Sequence, residues 1–212
     1  MRTKPSSPAP LSSNMWKSCT FVAALSLTGC TAIETETAAP ETAFFERLNG
    51  LCDGQAYAGT LVSNDAADAD FKGADMRMGP AMCDGDLIRI PFVVGEDRSR
   101  TWEVRRTENG IRLKHDHRHK DGTEDVLTQY GGDSDATGSV GQQDFPADAE
   151  TKTLFIRENI EVSTQNTWSL EFEPNDVFVY QMRRPERLFR VEFDLTRPVE
   201  APPPPWGQVP VE

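Results

Sequence analysis

The sequence predicts a mainly β protein: an antiparallel barrel or sandwich of about eight or nine strands, entered through one short helix near its N-terminal side. Three observations carry this. Segments of alternating polarity recur along the chain and are separated by Gly, Asn, Asp and Pro turns. The last third repeats one aromatic-rich pattern three times. And all three histidines of the chain stand every second residue in Ile111-Arg-Leu-Lys-His-Asp-His-Arg-His119. On a strand, successive side chains alternate, so Ile111, Leu113, His115, His117 and His119 share one face while Arg112, Lys114, Asp116 and Arg118 share the other. The histidines continue an apolar face.

The first residues are read as an export signal rather than a fold element. Arg2, Lys4 and Lys17 precede the short apolar run Phe21-Val-Ala-Ala-Leu-Ser-Leu27, which is far below the roughly 20 residues that span a bilayer. Met15-Trp-Lys-Ser-Cys begins a complete short signal by itself. Residues 30–43 offer almost nothing to bury and read as a flexible acidic tether. From Glu41 to Leu51, Phe44, Phe45, Leu48 and Leu51 fall at helical spacing, with Asn49-Gly50 and Asp53-Gly54 as stop and turn signals.

Strands follow. Gln55–Ser63 is the first, Asn64–Asp70 a polar loop, and Asp75–Gly79 a weak strand before a Gly-Pro turn. Ile88, Ile90, Phe92 and Val94 line a stronger strand; Trp102 and Val104 alternate with Glu103 and Arg105 in the next, up to the turn Glu108-Asn109-Gly110. After the histidine strand, Lys120–Glu124 turns the chain into Val126–Tyr130. Gly131–Ala147 reads as a glycine-rich polar loop, and the stretch around Leu154 and Phe155 as a short helix or an edge segment. Trp168, Leu170 and Phe172, then Phe178, Tyr180 and Met182, then Phe189, Val191, Phe193 and Leu195 form the faces of a three-stranded meander. The domain so defined covers 44–197. The tail, 198–212, contains Ala201-Pro-Pro-Pro-Pro-Trp206, an extended polyproline segment read as a surface strap.

Composition narrows the functions. The chain has 212 residues, 37% hydrophobic, with a mean hydropathy of −0.53, enough for one core and too polar for a bundle of membrane helices. Its net charge is −12; without residues 1–29, which hold three of the 22 basic and none of the 34 acidic residues, 19 basic face 34 acidic residues, a net −15. Such a balance argues against nucleic acid or anionic lipid headgroups as partners held by bulk charge.

Leu27-Thr28-Gly29-Cys30 resembles a bacterial lipobox. The resemblance implies cleavage before Cys30, acyl chains on its sulfur and amino group, and a membrane partner reached through that lipid anchor. Thr31, where an inner-membrane retention Asp commonly stands, points to the outer membrane with the domain in the periplasm. Cys19 would leave with the signal and Cys30 would carry lipid, so Cys52 and Cys83 remain as an even pair. In an oxidising compartment they form a disulfide, or else stand as two buried thiols.

The helix-then-meander order over Phe44–Leu195 resembles the calycin group of small up-and-down barrels, lipocalins among them, with Gln55-Ala-Tyr57 where lipocalins carry Gly-x-Trp. The whole chain is similar to a group of bacterial envelope lipoproteins, a resemblance that brings no activity with it.

The histidine row is compatible with a hydrogen-bonded rim, a site for a small ligand, a divalent metal or a haem-like group, or proton transfer. Histidines at i and i+2 lie about 7 Å apart at Cα, near enough for two rings to share one ion, with Glu124 as the nearest added carboxylate. His117-Arg-His119, Glu124 and Gly131 resemble the first cupin motif, which implies a metal-dependent enzyme of that type; no later histidine supplies its second motif. The candidate ligand set is therefore His115, His117, His119 and Glu124. Trp102 and Trp168 read as core, and Arg183, Arg184 and Arg187 as a solvated hairpin tip able to meet an anion. A structural or interaction role without any ligand is the alternative.

Overall fold

The computed structural model describes residues 38–134 and 138–208, so the leader, Cys30 and most of the tether lie outside the described residues. Helix α1 (Pro40–Asn49) begins with Pro in its first turn, whose fixed φ and missing N–H suit that position, and buries Phe44, Phe45 and Leu48 completely. The residues read as the end of the tether, 40–43, are its first turn. Among the described residues there are eleven strands: β1 (Ala56–Leu61), β2 (Met76–Met78), β3 (Met82–Asp84), β4 (Leu87–Val94), β5 (Asp97–Thr107), β6 (Gly110–His117), β7 (Tyr130–Asp133), β8 (Gln142–Pro146), β9 (Thr167–Glu173), β10 (Val177–Arg184) and β11 (Arg187–Val199). All pair antiparallel in one sheet ordered β7-β6-β5-β4-β2-β1-β11-β10-β9-β8, with β3 beside β4. The sheet curls into a nearly closed barrel.

The strand count corrects the expected eight or nine. β2 and β3 share one edge of β4 on either side of Gly79-Pro80, and β3 (Met-Cys-Asp) has no apolar alternation to announce it. β8 (Gln-Gln-Asp-Phe-Pro) turns Gln143 and Phe145 inward, both at 0% exposure, and an inward glutamine hides the period. The expected strand Val126–Tyr130 is instead an irregular turn. Asp125 accepts from the Leu127 amide, Gln129 adopts a left-handed φ of 54°, and β7 starts only at Tyr130. Nor is the helix a single one at the start of the chain. α1 begins at Pro40, and a second helix, α2 (Ala149–Arg157), capped by Asp148 on the Thr151 amide, follows β8; this resolves the stretch around Leu154 and Phe155 as helix.

The first and last strands of the sheet, β7 and β8, meet at a seam held by the start of α2. The Asp148 amide donates to the Gly131 carbonyl at 3.0 Å, and the Thr151 hydroxyl bridges the Gly131 amide and carbonyl at 2.8 and 2.9 Å. The close approach needs glycine: a Cβ on Gly132 would lie 1.8 Å from the Pro146 carbonyl oxygen. Gly131-Gly132 therefore serves packing.

Cys52, just after α1, and Cys83 of β3 form a disulfide with Cα atoms 6.1 Å apart. α1 plugs the barrel end where β6 and β10 begin, with Phe44 against Phe172 and the Arg47 guanidinium over the Phe172 ring. The tail lies outside β4 and β5: Arg98 donates to the Pro204 carbonyl, and the Trp206 amide donates to the Arg98 carbonyl at 3.0 Å. It is a strap, as its polyproline sequence predicts.

Candidate functional site

At the end away from α1 the barrel contains a cavity of about 320 Å³. Register explains its walls. Across β5 and β6, Trp102 stands opposite His115 and Arg100 opposite His117, and residues paired across antiparallel strands share a face. The same face continues to Tyr130, opposite His115 on β7, and across the barrel to Trp168, Tyr180, Met182 and Phe189. A 3₁₀ turn, Ala66–Phe71, lies at the mouth with Ala67, Asp68 and Phe71 on the cavity.

The predicted alternation of the histidines holds for two of them. His115 is 2% exposed and His117 is half-buried, and both face the cavity. His119 lies past the end of β6, over half exposed, with Nδ1 3.8 Å from Asp125. Glu124 is turned outward and pairs with Arg118 at 3.2 Å. The four candidate ligands are thus split between the inside and the outside of the barrel. The reason is that the strand stops at His117: the His119 amide and carbonyl are used by the turn, to the Thr123 carbonyl and from the Gly122 amide. Among the described residues, no group of three or more His, Cys, Asp or Glu side chains is placed to hold a metal ion.

His115 is fixed at both ring nitrogens. Nδ1 lies 3.0 Å from the Tyr130 carbonyl oxygen and Nε2 lies 2.8 Å from the Tyr180 hydroxyl. A carbonyl only accepts, so Nδ1 carries the proton. Nε2 of a neutral ring must then accept from Tyr180. The ring also stacks on Tyr130, centroids 4.6 Å apart and planes 13° from parallel, with Trp168 at 5.1 Å. A metal could take His115 only by breaking one of these bonds. His117 Nε2 lies 3.1 Å from the Tyr130 hydroxyl.

Burial keeps these groups uncharged. Desolvation, followed by the nearby His117, pushes His115 down to about 3; desolvation, followed by the Arg100 guanidinium, pushes His117 down to about 4. Burial raises the phenols of Tyr130 and Tyr180. At neutral pH the inner wall is therefore a set of neutral hydrogen-bonding groups among aromatic rings. Trp102 stacks on Tyr180 at 4.3 Å and 11°, and on Phe92 at 4.9 Å and 20°.

Charge is confined to paired groups near the mouth. Arg100 holds Asp97 at 2.5 Å. Arg187, far from being a solvated hairpin tip, is 13% exposed and forms a two-pronged ion pair with Asp68, itself 1% exposed; Asp65 stands 3.5 Å away. Arg183 and Arg184 do lie at the rim, bonded to Asp144 and Asn166.

Trp102 and Trp168 are core, as their positions predict, and they also line the cavity. The sequence pattern marks Tyr180 only as a core position and gives Tyr130, Arg100 and Asp68 no place in a site. A signal existed for two of them: Tyr180 stands between Phe178 and Met182 on an inward face, and Arg100 is two residues before Trp102, so each puts a polar group on an apolar face. Asp68 and Tyr130 gave none, since both arrive through irregular turns.

Compared with known proteins, the chain matches no protein-family model, no curated protein and no solved structure.

Proposed function

We propose that this is a lipid-anchored cell-envelope protein whose barrel holds a small organic ligand in the cavity at its His115–His117 face. One observation carries the binding part: a cavity of about 320 Å³ lined by aromatic side chains with a few convergent polar groups, at the open end of an otherwise filled barrel. Small-molecule sites are apolar concavities of about 300–1,000 Å³ with a small number of placed polar groups, and this cavity stands at the lower end of that range. Large side chains fill the barrel interior at the α1 end, so the recess is a feature of the His115–His117 end. The anchoring part is supported by the resemblance of Leu27-Thr28-Gly29-Cys30 to a lipobox, which implies acyl chains on Cys30 in the outer membrane and the barrel in the periplasm on a short tether.

Binding is tested by titrating N-phenyl-1-naphthylamine, an uncharged dye that brightens in apolar sites, into the exported protein. A saturable single site is expected, lost when Met182→Trp puts an indole into the cavity and kept when Val126→Trp adds one on the exterior, where Val126 is 60% exposed. Dye signal that ignores Met182→Trp, or no saturable signal, would point to the alternative, a structural or interaction role. Anchoring is tested by fractionation: the protein is expected with the membranes, and the Cys30→Ser variant is not.

A further inference from the structure

We infer that the ligand is an uncharged, ring-bearing molecule that donates a hydrogen bond, a phenol or comparable hydroxylated ring, and that Tyr180 receives it. This deepens the cavity reading and rests on it.

Nδ1 of His115 spends its hydrogen on the Tyr130 carbonyl, and Nε2 takes the hydrogen of Tyr180. Tyr180 has no second hydrogen. Its oxygen already has the Trp168 indole N–H as a donor beside it, so all it can offer a ligand is a remaining lone pair, and it can do nothing but accept. A ligand oxygen without a hydrogen would set lone pair against lone pair there. A hydroxyl would complete the chain from ligand to Tyr180 to His115 to the Tyr130 carbonyl, each group donating to the next.

Shape and charge narrow the class further. The stacked Tyr180 and Trp102 rings and the stacked His115 and Tyr130 rings present flat faces, which suit a flat partner through offset or edge contacts. The two guanidinium groups on the cavity already have carboxylates: Asp97 holds Arg100, and Asp68 with Asp65 holds Arg187. An anion would thus meet guanidinium groups whose charge is already balanced by carboxylates, and the desolvation of its own charge would go uncompensated.

The test compares four probes of one shape by calorimetry on the exported protein at pH 7.5: 2-naphthol, 2-methoxynaphthalene, naphthalene and 2-naphthoate. The expected order puts 2-naphthol about 3- to 10-fold tighter than its methyl ether and than naphthalene, the factor a net hydrogen bond of roughly 0.5–1.5 kcal/mol gives, and 2-naphthoate weakest. Two variants separate the proton chain from simple polarity. Tyr180→Phe exposes the Nε2 lone pair of His115, still an acceptor, so the preference for naphthol over its ether persists. His115→Phe frees the Tyr180 hydrogen, so the ether gains and the preference collapses. Equal binding of naphthol and ether, or tightest binding of naphthoate, each still abolished by Met182→Trp, would overturn the ligand class while leaving the cavity reading in place. Failure of all four probes and of the dye would overturn the cavity reading itself.

Discussion

Lowering the pH from 7.5 to 5.0 should cost the fold stability through His115 and His117, and the structure sets the size of the loss. In the unfolded chain a histidine titrates near 6.5, whereas burial holds the folded His115 at about 3 and His117 at about 4. Between those values the unfolded state binds protons that the folded state refuses, so stability falls as pH falls. The contribution is fully present above about pH 7, is lost progressively below 6.5, and levels off only near 3. At pH 5.0 both unfolded imidazoles are almost fully charged and both folded ones almost fully neutral, which gives a loss of roughly 2 kcal/mol for each ring. The groups around the pair are Arg100 and Asp97 of β5, Tyr130, Asp125 in the turn after β6, and, acting from the opposite face of β6, Lys114 and Asp116; the acidic ones only partly offset burial. The assay is urea unfolding at both pH values for the wild type and the double variant His115→Gln, His117→Gln. Carboxylates common to both cancel in the comparison. The wild type should lose about 4 kcal/mol more than the variant across this window. Equal losses would show that the rings are not held neutral, and the tautomer assigned to His115 would go with them.

Other perturbations test other parts of the structure. Replacing Cys52 and Cys83 with alanine opens a loop of 31 residues' separation and should lower unfolding free energy by about 3–4 kcal/mol in the chain-entropy account; an unchanged urea midpoint would contradict the pairing's structural weight. Gly132→Ala forces the seam apart against the Pro146 carbonyl and should cost about 3 kcal/mol or more, whereas a melting temperature within 1–2 °C, about the scatter of a neutral surface change, would mean that the seam is not closed as described. Asp68→Asn leaves Arg187 nearly buried with only the more distant Asp65, an expected loss of about 3 kcal/mol in thermal or chemical unfolding; no loss would place Arg187 in solvent.

Much of this fold was legible because strands with one buried face announce themselves by period. β4, β5 and the meander of β9, β10 and β11 follow inward rows such as Ile88-Ile90-Phe92 and Phe189-Val191-Phe193, and α1 follows Phe44, Phe45 and Leu48. Where inward residues are polar or the strand is three residues long, as in β8 with Gln143 and in β3, periodicity has nothing to detect. The site shows the same division. Alternation along β6 brings His115 and His117 inside, but it cannot say where the strand ends, and that one fact sends His119 and Glu124 to the outside. The partners of the buried histidines come from residues 13 and 65 positions away in sequence, Tyr130 and Tyr180. Pairing of β7 with β6 brings in Tyr130, and only the curling of the sheet brings in Tyr180.

The most direct test of the ligand site uses the fact that the chain holds only three histidines. Their ring resonances can be followed by NMR in the exported protein during a titration with 2-naphthol. The cavity account predicts that His115 and His117 shift together and saturate at one equivalent, while exposed His119 stays in place. Movement of His119 alone, or no movement of any ring at saturating probe, would contradict it.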